Sequence, residues 1–580
     1  MLPEPPQEMA VGQATVPLAR PADSPPLGEL LVTLGFLTRT QVAEALLQQP
    51  ESGKRLGALL VELGAIDDFQ LTAALSAQLQ LPNADLRSRQ PDPEVAALLP
   101  EAVARKTGSV PVSLDALGFL EIAVSDPHQD LSRVLEEATG RQVRLLLATQ
   151  AEIRRVIDNT YRALADVDDH VAAFTAVHGT RQITATTANV GADDAPVVQI
   201  VQKIITQALR DRASDVHIEP QGDRVRIRHR IDGALHDVMA LPDSMGPAIA
   251  SRLKIMAGMN IVERRRPQDG QIAMTIDGRE IDIRVATTGV IWGEKVVLRL
   301  LDKSRPSYRL SELGMPSDTH ALYSAMIRTP FGMVICAGPT GSGKTTTLYA
   351  SMTQINSSES NITTIEDPVE YVFPSINQIQ INEAAGVTFA GGLRAILRQD
   401  PDAILVGEIR DAETARIAVQ SALTGHFVLS SLHGTDAVSA LYRFLDMGIE
   451  PFLIASSVLG VVGQRLVRRS CIYCKMPYYP TPEELAFYYD IGGMQKDQFW
   501  AGEGCNLCSR TGYSDRVGVY ELLRMTEELR QMLVSGHPSH EEMRKLAMQQ
   551  GMRPLRHEAR TLIETDVTTI SEVVRSIYTL

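Results

Sequence analysis

Apolar residues first recur at helical spacing in two copies of one pattern, "PLGELLVTLGFLTRTQVAEALLQQ" at 26–49 and "RLGALLVELGAIDDFQLTAALSAQ" at 55–78. Eleven of the 24 aligned positions are identical at an offset of 29, among them Gly28 with Gly57, Gly35 with Gly64 and Gln49 with Gln78. Each copy predicts two short helices broken at its second glycine, because apolar residues three and four apart form one helix face and glycine interrupts it. Ahead of the repeat, residues 1–25 hold six prolines and few large apolar side chains, the composition of a disordered lead.

Farther along, "SVPVSL" and "FLEIAVS" read as strands and "QAEIRRVIDNTYRAL" as a closing helix. Residues 26–165 therefore form an N-terminal region, mostly helical with a small α/β unit at its end. Residues 166–195 lack sustained periodicity and are rich in Ala, Thr and Asp, which predicts a linker. From "VVQIVQKIITQALR" onward, 196–305 predicts a helix followed by a sheet. In "DRVRIRHRIDG" the alternation puts Val225, Ile227, His229 and Ile231 on one face and Arg224, Arg226, Arg228 and Arg230 on the other. A solvated strand face would also carry arginines, but four in register, with Arg264, Arg265 and Arg266 in "VERRRPQDG", point to a surface facing polyphosphate. From 306 to 580 apolar strands alternate with helical patterns, which predicts a parallel α/β domain.

Composition narrows the function. A hydrophobic content of 44% is that of globular cores, and 70 acidic against 56 basic residues leave a formal net charge of −14. That balance argues against general binding to nucleic acid or anionic lipid and leaves only local polyanion contacts. Neither a long apolar run nor a basic-then-apolar N-terminus is present, so the expected compartment is the cytoplasm. Of the five cysteines, four fall in two pairs, "CIYC" at 471–474 and "CNLC" at 505–508, thirty residues apart. Four thiolates can close a tetrahedral structural zinc site; a redox pair and packed reduced thiols are the alternatives. Cys336 reads as a core residue.

Phosphate chemistry is written most clearly at "MVICAGPTGSGKTTTLYASM", 333–352, where an apolar strand leads into a glycine-rich turn and a helix. Gly338, Gly343, Lys344 and Thr345 satisfy G-x-x-x-x-G-K-[ST]. Such a loop turns backbone amides toward phosphate oxygens, brings Lys344 to the outer phosphates and offers the Thr345 hydroxyl to Mg²⁺. In "DAILVGEIRDAE" Glu408 follows a four-residue apolar strand, the place of a Walker B carboxylate, and "TTIEDPVEY" offers Glu366, Asp367 and Glu370. One of these carboxylates orients the attacking water and another supports Mg²⁺; the sequence leaves open which does which. His426 and His433 flank an apolar strand in "TGHFVLSSLHGTDA", a pattern that packed or capping histidines also give.

Taken in order, "GPTGSGKTTTLY", "TTIEDPVEY", "LRQDPDAILVGEIRDAETA", "LTGHFVLSSLH", "QRLVRR" and "GVYELL" resemble the hexameric motors of type II secretion and type IV pilus assembly. "ASDVHIEP", "RIDG" and "GEKVVLRLLDK" extend the resemblance upstream, and it covers about 26–575. The resemblance implies an α/β fold, with a RecA-like P-loop motor domain at 306–580 preceded by a PAS-like α+β domain at 196–305. A tetracysteine zinc insertion at 468–512 and C-terminal helices belong to the motor domain. It implies six chains in a ring, and ATP and Mg²⁺ bound between the two domains. It assigns nucleotide binding to the Walker A residues Gly338, Pro339, Thr340, Gly341, Ser342, Gly343, Lys344, Thr345 and Thr346. Catalysis falls to Lys344, Glu366, Glu408, His426 and His433, Mg²⁺ ligation to Thr345, Glu366, Asp367 and Glu408, and structural Zn²⁺ to Cys471, Cys474, Cys505 and Cys508. Arginines completing the nucleotide site are Arg226, Arg228, Arg230, Arg265, Arg284 and Arg299.

The same resemblance implies partners: an inner-membrane platform protein and cytoplasmic assembly proteins, with the ring peripheral to the inner face of the membrane. The tetracysteine insertion and long N-terminal region favour an assembly motor over a retraction motor; the expected machine is the type IV pilus, with type II secretion, whose motors share every catalytic element, as the alternative. The repeat is similar to a cyclic di-GMP binding N-domain, whose contacts map to Leu27, Gly28, Arg55, Leu56 and Gly57. Here Pro26 stands where the first copy would carry an arginine, and a packed docking module is the alternative. Gln271 in "PQDGQI", the changes in "SSLHGTDA" and "TTGVIWGEK" also depart from the family pattern without removing an indispensable group. Two rivals come from other classes. A nucleic-acid motor would need a basic or aromatic strand-binding groove, which the acidic chain does not suggest. A cyclic-dinucleotide sensor would make hydrolysis secondary.

Overall fold

Gly35 and Gly64 both adopt the left-handed backbone, with φ of 75° and 69°. In this computed structural model the described residues are 25–86, 91–128, 130–164, 166–178, 196–302, 309–536 and 538–578. The lead up to residue 24 and the linker from 179 to 195 lie outside them. Around the two glycines run the helices Leu27–Thr33, Arg39–Ser52, Leu56–Glu62 and Asp68–Leu79, as the periodicity predicts. Thr38 and Asp67, 29 residues apart, each start a second helix with a capping box, to Gln41 and Gln70. The copies pack reciprocally. A Cβ on Gly28 would meet Val42 at 2.7 Å and Leu56 at 3.7 Å; one on Gly57 would meet Leu71 at 2.6 Å and Leu27 at 3.3 Å. Glycine is therefore retained at both crossings for close approach, with Leu31 and Leu60 fully buried beside them.

One compact unit comprises residues to Asp168 with Cys505–Arg510, and the other Asp169–Gly504 with Thr511–Leu580. The first also holds strands β1 (Ser109–Leu114), β2 (Leu120–Val124) and β3 (Val143–Leu147), with β1 antiparallel and β3 parallel to β2. Val167–His178 is a helix where the sequence predicts linker. Val167, Val171 and Phe174 make a short apolar stripe there, and Val167 and Phe174 are buried.

In the second unit, the helix Pro196–Arg210 leads into β4 (Asp215–Gln221), β5 (Arg224–Ile231) and β6 (Ala234–Pro242). After the helix Gly246–Met256 come β7 (Gln268–Ile276), β8 (Arg279–Val290) and β9 (Gly293–Asp302). These six form an antiparallel sheet in the order β6-β5-β4-β9-β8-β7. On β5 the predicted apolar face is the packed one: Val225, Ile227 and His229 are buried.

The rest of this unit contains β10 (Gly332–Ala337), β11 (Ile362–Glu366), β12 (Asn377–Gln380), β13 (Ala403–Val406), β14 (Phe427–Leu432) and β15 (Val458–Ser470). A hairpin of β16 (Lys475–Tyr478) and β17 (Phe499–Gly502) follows, then β18 (Tyr513–Arg524). The large sheet has the order β12-β11-β13-β14-β10-β15-β18. Every residue of β10, β11, β13 and β14 is buried, as expected of central parallel strands covered on both faces. The predicted parallel sheet stops at β18, which runs antiparallel to β15 along twelve residues. This is the RecA-like α/β architecture. Among the described residues no helix is long and apolar enough to cross a membrane.

Candidate functional site

Ala337 ends β10 and Lys344 begins the helix Lys344–Ile355, so the glycine-rich loop turns at the carboxyl end of a central parallel strand. Open α/β sheets bind ligands at that edge. Gly343 has φ of 88°, and a Cβ there would lie 2.8 Å from Gln464 Nε2. Only glycine satisfies both the left-handed backbone and the crowding. Lys344 Nζ donates to the Gly338 and Pro339 carbonyls at 2.7 and 3.1 Å. Burial pulls its pKa down, while the Glu408 carboxylate acts in the opposite sense. Ser342 is 3% exposed, and among the described residues its hydroxyl has no hydrogen-bond partner. A buried, unpaired hydroxyl in a glycine-rich loop at the start of a helix suits donation to a phosphate oxygen.

The loop opens into a cavity of about 850 Å³ between the large sheet and the antiparallel sheet. Thr340 to Thr346 line one side; Glu366, Asp367, Glu370, Glu408 and His433 line another. Glu408 Oε1 lies 2.8 Å from His433 Nε2, and its Oε2 accepts from Arg410 Nη2 at 2.8 Å. Arg410 also reaches to 3.7 Å of Asp367, and its bond to Glu408 raises its pKa. Thus the Walker B strand, the Asp367 loop and the end of β14 converge on one point. Glu370 is pushed up by burial, with Arg284 and Arg299 pulling it back.

The opposite wall is a single rung of the antiparallel sheet. Arg230, Asp215, Arg299, Arg284 and Gln271 stand in register on β5, β4, β9, β8 and β7. Side chains in register share one face and neighbour one another across strands. Arg299 Nε donates to Asp215 at 3.0 Å, and Arg230 lies 3.8 Å from the same carboxylate. Arg284 and Arg299 face each other as like charges, a destabilising arrangement unless an anion lies between them. All four charged residues line the large cavity.

The remaining predicted residues go elsewhere. Arg226 pairs with Asp237 at 2.7 Å and Arg228 with Glu219 at 2.7 Å, and neither lines the cavity. The cationic face of β5 is thus partly neutralised by carboxylates on neighbouring strands, which alternation within one strand cannot reveal. Arg265 is exposed on a loop away from the cavity lining. His426 precedes β14 whereas His433 follows it; seven residues of extended chain separate them by roughly 23 Å. His426 Nδ1 lies 3.1 Å from the Ser421 carbonyl and does not reach the cavity. Of the two histidines expected to be catalytic, His433 lines the cavity and His426 does not. We expect Arg284→Ala to lower kcat/KM for ATP about 10- to 100-fold, the worth of a charge-assisted hydrogen bond. Arg226→Ala should stay within about twofold of wild type; a steady-state phosphate-release assay compares them.

Tyr349, Arg410 and Asp215 belong to the site and were missed as such in the sequence. Arg410 carried a signal, lying two residues beyond the Walker B glutamate. Asp215 and Tyr349 carried none on their own, since strand register and helix packing bring them in. Elsewhere, the sulfurs of Cys471, Cys474, Cys505 and Cys508 all lie within 4.8 Å of one another, with 3.8 Å between those of Cys505 and Cys508. A zinc ion 2.3 Å from each of four thiolates requires sulfurs roughly 3.8 Å apart, so the group fits one. In the repeat, Arg55 is exposed and paired with Asp126.

The family described as type II/IV secretion system protein matches residues 190–575. The MshEN domain matches 79–166, beginning just past the second repeat copy rather than on the repeat. HxcR, a type II secretion system protein of Pseudomonas aeruginosa, is 49% identical over 383 residues, 66% of this chain and 78% of that protein. The type IV pilus assembly ATPase PilB of Myxococcus xanthus is 40% identical over 556 residues, 94% of this chain and 98% of that protein. Among solved structures, the ATPase DotB of Legionella pneumophila is similar over 64% of this chain and 94% of its own, with a TM-score of 0.49 and 23% identity.

Proposed function

The chain belongs to the type II/IV secretion system protein family and is an ATPase, and from that premise we propose that it is the motor of type IV pilus assembly. The observation that carries this reading is the extent of the match to the pilus assembly ATPase, 94% of this chain and 98% of that protein, so the N-terminal region is included. The HxcR match, though closer in identity, covers 66% of this chain. The second reading, a type II secretion motor, rests on that higher identity.

In this reading ATP occupies the cavity between the two sheets. The loop amides and the Ser342 hydroxyl hold its phosphates, Lys344 reaches the outer ones, and Arg284, Arg299 and Arg230 face them from the opposite wall. Thr345, with Asp367 and Glu408 nearby, would hold Mg²⁺, which would supply positive charge to offset that of the phosphates. Glu366 takes a proton from the attacking water as oxygen bonds to the γ-phosphorus. The bond from phosphorus to the bridging oxygen breaks, and its electron pair leaves with ADP. Glu408, flanked by His433 and Arg410, stands on the metal side of the cavity. No covalent enzyme intermediate forms.

The mechanical output follows from the two-sheet cavity: closing on ATP and reopening on ADP moves one wall against the other. We assign six chains to a ring on the cytoplasmic face of the inner membrane, acting on a platform protein so that pilin leaves the membrane. Zn²⁺ on the four cysteines would be structural, since four thiolates leave no position for water. Cyclic di-GMP is the proposed regulator of the N-terminal region; the MshEN match supports this, while Pro26 and the Arg55–Asp126 pair weigh against a full contact set on the repeat. The test is to delete the gene in its host, restore the wild-type or the Lys344→Ala form, and measure surface pili and secreted proteins together. Pili lost with secretion intact supports the assembly motor; secretion lost with pili intact replaces it with the second reading.

A further inference from the structure

Glu366 ends β11 and is 4% exposed, yet it lines the cavity. Its two oxygens are held differently. Oε1 accepts from the Thr364 hydroxyl at 2.6 Å and from Gln378 Nε2 at 3.2 Å. Oε2 accepts from the Tyr349 hydroxyl and so retains a lone pair for a further donor. Tyr349 comes from the helix Lys344–Ile355, whose first turn is the end of the phosphate loop. Its own oxygen accepts from the Glu370 amide at 3.2 Å. Its ring stands edge-on to Tyr371 and Phe373, with centroids 6.1 and 5.2 Å away. These contacts over-determine the ring: it is packed in place rather than free to swing. Burial, reinforced by the Glu366 charge, pushes the Tyr349 phenol up, which keeps its proton on the donating oxygen.

We propose that Tyr349 is a positioning residue for hydrolysis. Its hydroxyl fixes the water-accepting oxygen of Glu366 relative to the phosphate loop, because one helix carries both the loop's end and the tyrosine. Phosphate held by the loop and the carboxylate that accepts the water's proton are then set by the same rigid element. Thr364 and Gln378 saturate the other oxygen and leave Oε2 as the acceptor. Tyr349 neither gives up nor takes a proton in the step. The inference rests on the reading of Glu366 as the proton acceptor.

Tyr349→Phe removes the hydroxyl and keeps the ring in its aromatic surroundings. Steady-state assays should show kcat lower by about 10- to 100-fold with KM for ATP within about twofold, because positioning acts on the reacting step and not on phosphate binding. Binding of a fluorescent ATP analogue and the melting temperature should stay near wild type. In single-turnover assays, adding Tyr349→Phe to Glu366→Gln should slow the reaction no further, since the hydroxyl acts only through that carboxylate. A kcat within twofold of wild type for Tyr349→Phe, with Glu366→Gln inactive, overturns the role of Tyr349 and leaves Glu366 in place. Additive losses in the double variant also overturn it. Wild-type turnover by Glu366→Gln overturns the reading of Glu366 itself, and the inference with it.

Discussion

Lys344→Ala is expected to abolish measurable ATP turnover while the chain stays folded. The side chain spans the loop and bonds the Gly338 and Pro339 carbonyls. Those bonds hold the ammonium at the centre of the loop, where the outer phosphates arrive, and an incoming phosphate exchanges for them with little reorganisation. Losing one preorganised positive donor of this kind costs about 10²–10³-fold in kcat. Lys344 also neutralises bound phosphate, so affinity for ATP should fall together with kcat. The fold does not depend on it. The helix it begins is anchored by Thr347, Leu348, Tyr349 and Met352, all buried. A Thr347–Gln464 hydrogen bond of 2.9 Å pins the same turn to β15. The melting temperature should therefore change by no more than a few degrees. Phosphate release and thermal unfolding, measured on one preparation, check both halves; turnover near wild type would remove Lys344 from the site.

The phosphate loop could be read from the sequence because everything that makes it is local: strand, glycines, lysine and helix are consecutive. Glu408 was legible for the same reason, standing at the end of four apolar residues. The arginine wall was only half legible. Alternation on β5 correctly separated the packed face from the charged one, but it could not say that Asp237 and Glu219 would take up Arg226 and Arg228. Nor could it say that Arg230 would share a rung with Arg299 and Arg284, residues 54 to 69 positions away, since register between strands is a property of the whole sheet. The two histidines looked equivalent in sequence and are separated by the length of the strand between them. The Tyr349–Glu366 contact joins a helix to the next strand, and a tyrosine in an apolar helix gives no sign of its partner. The helix at Val167–His178 carries four large apolar residues three or four apart, Val167, Val171, Phe174 and Val177, but the run is only about three turns long and passes into polar and small residues without a period, so the stretch as a whole reads as linker.

Glu408→Gln is expected to bind ATP and fail to turn it over, a phenotype distinct from that of Lys344→Ala. Glutamine keeps the size of the side chain and an acceptor for Arg410, so the ends of β13 and β14 should remain together. The negative charge is lost. Glu408 sits between His433 at 2.8 Å and Arg410 at 2.8 Å, with Lys344 close enough to feel its field. Neutralising it leaves three cationic or protonatable groups facing a cavity that must also accept Mg²⁺, and the metal's position weakens before the phosphates' position does. The phosphate loop is untouched, and the surplus positive charge favours polyphosphate. Affinity for ATP should therefore hold or rise while kcat falls by at least about 10²-fold, within the range of losses of preorganised charge in a closed site. Equilibrium binding of a fluorescent ATP analogue beside a phosphate-release assay separates the two variants: Lys344→Ala loses both signals, Glu408→Gln only the second. If Glu408→Gln hydrolyses ATP at close to the wild-type rate, the metal side of the cavity belongs to Asp367 and the Glu366 loop. His433 and Arg410, whose closest carboxylate is Glu408, would then lose their place in the reaction as well.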